Sequence, residues 1–270
     1  MDAHSMGIAS TRACRTNLPL RFFGVAALLF AASATLTITG CTAMASMGEL
    51  PMPGGWTLSM AWMPMCGQAW PDVVAAFLGM WLAMMVAMML PSLLPVLWRS
   101  HAAIDRPGHS PAGRLIALMG AAYFTVWLVL GTGVLALGAL LATVVMQWPA
   151  LARAMPIAAA AVVLAAGALQ FTAWKARHLA CCRATPVIAP RLATSWRHGL
   201  RLGLHCSCSC AGPMAILLVG GVMDLRMMAI VTMAITIERL APDGRRAART
   251  VGTAFAVAGL LMMTHAAWPG

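Results

Sequence analysis

Three cysteines and a histidine lie within six residues, from His205 to Cys210, at the mouth of an apolar run that ends at Met223. Thiolate sulfur and imidazole nitrogen are ligands for soft and borderline metal ions, and thiolates favour copper(I). A lone cysteine in an apolar helix is an ordinary small packing residue. A cluster of this density instead favours a copper(I) site.

Helical spacing limits how these donors could share an ion. Cys206 and Cys210 are four residues apart and lie on one face, whereas His205 and Cys208 lie on another. Pro213 has no backbone N–H, so it leaves the carbonyl of the residue four positions earlier without its helical donor and loosens that turn. We therefore predict a two- or three-coordinate site with Cys206, Cys208 and Cys210 as ligands and His205 assisting.

A second group of sulfur donors lies in an earlier apolar segment. Its members recur at helical spacing and form two adjacent stripes, so they could line a path for a soft cation; ordinary core packing is the alternative. The candidate residues are Met84, Met85, Met88 and Met89.

A third group follows a proline-containing stretch with paired glycines, in the interlude between Cys41 and Asp72. This interlude is expected to be irregular. Its sulfur donors, Met60, Met63 and Met65, could form a metal site at the outer face of a membrane. The alternative is a loop that rests on the membrane surface.

Composition indicates what must hold these groups in place. The chain has 270 residues, of which 61% are hydrophobic and only 9% charged. A soluble domain needs more charge to cover its surface. Continuous apolar runs of roughly 17–25 residues match the length of helix that crosses a bilayer. The predicted fold is therefore an all-α, polytopic transmembrane bundle surrounded by lipid.

We predict a short cytoplasmic N-terminal segment, residues 1–21, followed by a single transmembrane domain, residues 22–270. About seven spans are expected, with six as the alternative because the sixth is short. The predicted spans are residues 22–40, 73–97, 115–145, 156–174, 204–223, 227–240 and 250–268.

The formal net charge of +11 is distributed mostly in short segments between spans. With seven spans and a cytoplasmic N-terminus, nearly all lysines and arginines face inward, as the positive-inside bias requires. Six spans would turn the arginines of residues 239–249 outward. The basic residues show no aromatic-interleaved stripe, so nucleic acid is not a predicted partner.

Two local features need separate predictions. The small residues before Cys41 resemble a lipoprotein cleavage site, but an uncleaved first span is the favoured interpretation. Asp224 and Glu238 flank the short sixth span, and each lies close to an arginine in sequence. Ion pairs of these carboxylates with Arg226 and Arg239 at the headgroup level are expected.

Common enzyme signatures are missing from the sequence. It contains no Gly-Lys-Ser/Thr phosphate loop, no HExxH helix and no nucleophile elbow. The sequence therefore predicts a metal-binding protein and not an enzyme.

Four blocks of the chain resemble a known family, the predicted metal-binding integral membrane proteins. The first block is Met80-Trp81 through Ala87-Met88-Met89-Leu90-Pro91-Ser92, and the second is Tyr123-Phe124-x-x-Trp127. The third joins Gln170-Phe171-Thr172-x-x-Lys175 to Leu179-x-x-Cys182-Arg183. The fourth runs from Trp196-Arg197 through His205-Cys206 and Gly220-Gly221 to Asp224, with Glu238 closing it.

The thiol motif departs from the family pattern, which usually has Cys-x-Gly-Cys-Cys-Trp after a histidine or tyrosine. Cys208 stands in place of the glycine, Ser209 in place of the middle cysteine and Ala211 in place of the tryptophan. Asp224 stands where the family commonly has asparagine. Three thiols are kept, but their arrangement differs.

The resemblance implies metal handling in a bacterial inner membrane, because one member type is described as a copper-delivery partner of a polyphenol oxidase. We therefore expect a copper(I) chaperone that supplies a copper-dependent partner protein. The alternatives are a soft-metal transporter and a thiol redox membrane protein that uses Cys206 and Cys210.

Overall fold

The protein is almost entirely helical. A computed structural model describes residues 3–46, 48–59, 62, 67–104, 112–184 and 191–267. The helices are α1 (Ala3–Ser46), α2 (Trp70–Ile104), α3 (Ala112–Gln147), α4 (Pro149–Leu169), α5 (Ala173–Arg183), α6 (Leu192–Gly220), α7 (Leu225–Leu240) and α8 (Gly244–Ala267). The prediction of an all-α bundle is confirmed.

Six of the described helices are long and apolar enough to cross a membrane, namely α1, α2, α3, α4, α6 and α8. The predicted sixth span forms α7, which has 16 residues. At 1.5 Å per residue it is about 24 Å long, a little short of the hydrocarbon core. The count of full-length helices thus agrees with the six-span alternative, with α7 as a shorter additional helix.

The segment between α1 and α2 differs from the irregular loop that the sequence predicts. Residues Glu49–Met52 (β1) and Trp56–Ser59 (β2) form an antiparallel hairpin, in which Glu49 pairs with Ser59. Gly54 and Gly55 adopt positive φ in its turn, a conformation that glycine reaches without a side-chain clash. The indole N–H of Trp56 donates to the carbonyl of Ala152, 2.9 Å away, so the hairpin is fastened to α4.

Short helical breaks lie where the sequence has polar or proline residues. Trp148 separates α3 from α4, and Pro149 begins α4 at the first helical position, where its missing N–H costs nothing. The turn Gln170–Thr172 separates α4 from α5, and the Thr172 hydroxyl accepts the Lys175 N–H as an N-cap. This turn places α5 against α6. It also ends α4 at Leu169, whereas the predicted fourth span reached residue 174.

Close contact between α3 and α6 brings two of the resemblance blocks together. Gly199 and Gly203 of α6 lie directly against the α3 backbone; a Cβ at Gly203 would be 3.0 Å from the Tyr123 carbonyl. Small residues at this spacing allow helix backbones to approach closely. The largest buried cluster lies between α2, α3 and α6 and includes residues of α5 and α7.

Candidate metal centre

Two thiols of α6 form the centre of the buried cluster. Cys206 and Cys210 are one helical turn apart, both are almost fully buried, and their Sγ atoms are 3.9 Å apart. The Tyr123 hydroxyl of α3 lies 2.8 Å from the Cys206 Sγ. The predicted sharing of one face by these two cysteines is therefore seen in the structure.

A third buried thiol comes from α5. Cys182 lies with its Sγ 3.7 Å from the Ser209 hydroxyl, which is itself 3.8 Å from the Cys210 Sγ. Burial raises the pKa of the Cys182 thiol to about 11. In the absence of an ion this cysteine is a neutral thiol at physiological pH.

The carbonyl that Pro213 leaves without a helical donor is bound by a lysine side chain. The Ser209 carbonyl, which lacks its usual donor, accepts a hydrogen bond from the Lys175 ammonium. The same ammonium lies 2.7 Å from Glu238 Oε2, and the Gln170 amide donates to Glu238 Oε1 at 2.9 Å. A buried ion pair thus joins α5, α6 and α7 beside the thiols.

The predicted ion pairs of Asp224 and Glu238 with their neighbouring arginines are wrong. Glu238 points into the protein and pairs with Lys175, as described above. The Asp224 carboxylate instead accepts the backbone N–H groups of Arg226 and Met227 and caps the N-terminus of α7. Adjacent residues on a helix point in different directions, so proximity in sequence did not predict pairing.

Arg239 is the second buried cation, with only 7% of its side chain exposed. Its Nη1 lies 3.4 Å from the Ser92 hydroxyl, while Nε and Nη2 have no hydrogen-bond partner among the described residues. The guanidinium is close enough to Cys206, Cys210 and Tyr123 to interact with them electrostatically. A buried charge without a counter-ion is costly, and the groups here that could become anions are the thiols.

The methionines of α2 complete the buried cluster. Met84, Met85, Met88 and Met89 are each at most 3% exposed and belong to the same cluster as Cys182, Cys206 and Cys210. Their stripes therefore lie inside the protein. This placement satisfies core packing and puts thioether sulfur in the same buried cluster as the thiols.

Other predicted ligands lie elsewhere. The His205 ring lies against His178 of α5, with 3.0 Å between the two Nδ1 atoms, and Cys208 is half-exposed. In the part of the chain that the structure describes, no three His, Cys, Asp or Glu side chains are grouped closely enough to hold a metal. Met60, Met63 and Met65 lie outside the described residues.

Several residues of the centre were not predicted as site residues. They are Tyr123, Lys175, Cys182 and Arg239, and all but Arg239 fall within the blocks that resemble the metal-binding membrane family. The family blocks therefore pointed to three of these residues, which lie far apart in the chain and meet in the structure. Arg239 carried no such signal beyond its position next to Glu238.

The fold and the site define a helical protein of membrane type with a buried, sulfur-rich centre. The chain belongs to the PpoB2 family, described as copper chaperones, which matches residues 78–262 and hence more than two thirds of its length. The matched region contains the thiols, the α2 methionines and both buried cations. No curated protein or solved structure is significantly similar to the chain.

Proposed function

We propose that this protein is an integral membrane copper(I) chaperone that holds the ion at Cys206 and Cys210 and delivers it to a partner cuproprotein. The observation that carries the proposal is the buried thiol pair, 3.9 Å apart, beside a buried arginine that has no carboxylate partner among the described residues. Membership of a copper chaperone family supports the choice of cargo.

The spacing of the two sulfur atoms suits a soft ion of low coordination number. Two metal–sulfur bonds of about 2.3 Å across the 3.9 Å gap enclose an angle of about 116°, close to trigonal. Cys182 shares the Ser209 hydroxyl as a neighbour with Cys210 and is our candidate for the third ligand. It would have to move closer to the pair when the ion binds, because the three thiols are not grouped closely enough in the described structure. The α2 methionines offer thioether sulfur as weaker donors along one side.

Charge balance favours a monovalent ion. Lys175 and Glu238 cancel each other, so Arg239 contributes one positive charge that no described carboxylate compensates. Two thiolates contribute two negative charges, and copper(I) returns the buried group to neutrality. Burial in a medium of low dielectric constant penalises any other net charge.

Metal analysis of detergent-purified protein tests the site. After exposure to copper(I), we expect about one tightly bound equivalent in the wild type and its loss in Cys206→Ser/Cys210→Ser. Cys208→Ser is the matched control, because it removes a half-exposed thiol from the same helix. Tightly bound copper missing from the wild type, or retained with undiminished affinity by the double variant, would contradict the proposal.

Delivery needs a separate experiment. Copper-loaded protein in sealed vesicles is mixed with a copper-free polyphenol oxidase from the same source. Activation of the oxidase that depends on Cys206 and Cys210 supports delivery. Copper flux across the vesicle wall without activation of the oxidase would instead indicate a transporter.

A further inference from the structure

Two histidines form a second group of metal-binding atoms beside the thiols. His178 of α5 and His205 of α6 have their Nδ1 atoms 3.0 Å apart, and their ring centroids are 5.2 Å apart. The edge of Trp174 packs against His178, with 4.7 Å between ring centroids. Both histidines are half-buried, so the pair is held in place yet open to one side.

The thiol centre itself is closed. Cys206 and Cys210 are at most 2% exposed, so a copper carrier cannot touch either sulfur directly. A buried ion must therefore arrive or leave by exchange through neighbouring ligands. His205 is the residue immediately before Cys206 in the chain, and its ring is partly exposed.

The two rings turn an Nδ1 atom toward each other, so one ring donates and the other accepts. A neutral imidazole has a free ring nitrogen, and imidazole is a ligand for copper. The hydrogen bond between the rings can thus be replaced by two bonds to one ion.

The geometry leaves room for a third ligand from outside. With metal–nitrogen bonds of about 2.0 Å, a trigonal ion needs its two nitrogens about 3.5 Å apart, about 0.5 Å more than in the structure. A small ring movement supplies that distance. The third position then faces the exposed side, where a carrier or recipient thiol could bind.

We propose that His178 and His205 form a second copper(I) site, an exchange site through which the ion passes on its way to and from Cys206 and Cys210. The inference rests on the proposed function, because it needs the thiols as the high-affinity site. It assigns a role to His178 and gives His205 a ligand role separate from the thiols.

An equilibrium experiment isolates the site. Cys206→Ser/Cys210→Ser should retain one weak copper(I) equivalent, on the order of 100-fold weaker than the wild-type site, with nitrogen ligands in its X-ray absorption spectrum. Adding His178→Ala and His205→Ala should abolish it. If the cysteine double variant binds no copper at any affinity, or if its residual copper survives loss of both histidines, the exchange site is refuted.

A kinetic experiment tests passage through the site. Copper(I) is presented as a complex with a chromogenic chelator, and the rate of loading is followed optically. His178→Ala should load about tenfold more slowly than the wild type and reach the same final content of tightly bound copper. His178→Gln repeats the test with a side chain of similar polarity, and His265→Ala removes an exposed histidine of α8 as the control.

The outcomes separate the two proposals. If the wild type binds copper at the thiols and the His178 variant loads at the same rate, the exchange site is refuted and the chaperone proposal is unaffected. Wild type that binds no copper refutes both. A His178 variant that only unfolds more easily, with unchanged loading while folded, shows that the histidine pair is a packing contact.

Discussion

At the scale of single residues, the centre is defined as much by its charges as by its sulfur atoms. Arg239 has two nitrogens without a partner in the described structure and lies near four groups that ionise by losing a proton, Cys182, Cys206, Cys210 and Tyr123. Such an arrangement is unfavourable in the empty protein and favourable once thiolates are present. It therefore predicts opposite effects of mutation on the empty and the loaded protein.

Replacing Arg239 by methionine should raise the thermal stability of the copper-free protein, because an unpaired buried charge is removed. The same change should lower copper(I) affinity by roughly 10- to 100-fold, since hydrogen bonds to charged groups contribute about 1.5–3 kcal/mol. Arg239→Lys should keep part of the affinity. Thermal unfolding and competition with a chelator measure the two effects.

The control is Arg226→Met, which removes an exposed arginine at the other end of the same helix. It should change neither quantity. Equal losses of copper affinity in the Arg226 and Arg239 variants would rule out a specific role for the buried guanidinium.

Cys182 should react slowly with iodoacetamide at pH 8 in the copper-free protein, because its pKa is raised to about 11 and only the thiolate reacts. Below that pKa the thiolate fraction rises about tenfold per pH unit, so the rate should keep rising beyond pH 9. Mass spectrometry of a Cys181→Ser variant follows this thiol alone. A rate that reaches its plateau below pH 9 would contradict the burial of Cys182.

At the scale of helices, the distance between α3 and α6 decides whether the centre forms. Gly203 allows the α6 backbone to approach Tyr123, and the hydroxyl of Tyr123 then reaches the Cys206 sulfur at 2.8 Å. Packed interiors resist even small additions of volume. The glycine is therefore a structural requirement of the candidate metal centre, although it would bind no ion itself.

Gly203→Ala should destabilise the protein by about 1–3 kcal/mol through overpacking, and it should weaken copper binding by moving Tyr123 away from Cys206. Gly120→Ala in α3 is the matched control, because a Cβ there meets no atom within 4 Å. That control should be neutral or slightly stabilising, since alanine favours a helix over glycine. Thermal unfolding in detergent measures both variants, and a stable Gly203→Ala protein would contradict the close packing.

At the scale of the whole molecule, the contacts at the two ends of α7 bear on the number of spans. Its first end lies at Asp224, which is close enough to Cys41, near the end of α1, to interact electrostatically. Near its C-terminal end, Glu238 forms an ion pair with Lys175, and the Arg183 guanidinium donates to the carbonyl of Ala241, the residue that follows α7. Cys41 lies at the outer end of the predicted first span, whereas Lys175 and Arg183 lie in a predicted cytoplasmic segment.

We therefore expect α7 to cross the membrane despite its 16 residues, and the N-terminus to be cytoplasmic. A reporter inserted at Gly221 should be outside, and one inserted at Pro242 should be inside. Alkaline phosphatase and fluorescent protein fusions, active on opposite sides, measure this. Both insertions on the same side would show that α7 does not cross and that six spans are correct.

The sequence by itself determined the helical membrane class and the family, and it placed Cys206 and Cys210 on one face of a helix. Length, hydropathy, motif blocks and helical spacing can all be read along the chain. The sequence also located the defect at Pro213, since a missing N–H always frees the carbonyl four residues earlier. The hairpin after α1 was missed because its strands are short and rich in turn-forming residues.

Only the tertiary structure decided which groups meet at the thiols. Cys182, Lys175 and Tyr123 come from three other positions along the chain, and Glu238 pairs with Lys175 in place of its neighbour in sequence. The His205 ring contacts His178 of another helix, which its position beside Cys206 in the sequence did not predict. Contacts between helices depend on how their faces are rotated and how closely their backbones approach, and neither quantity can be read from the spacing within one helix.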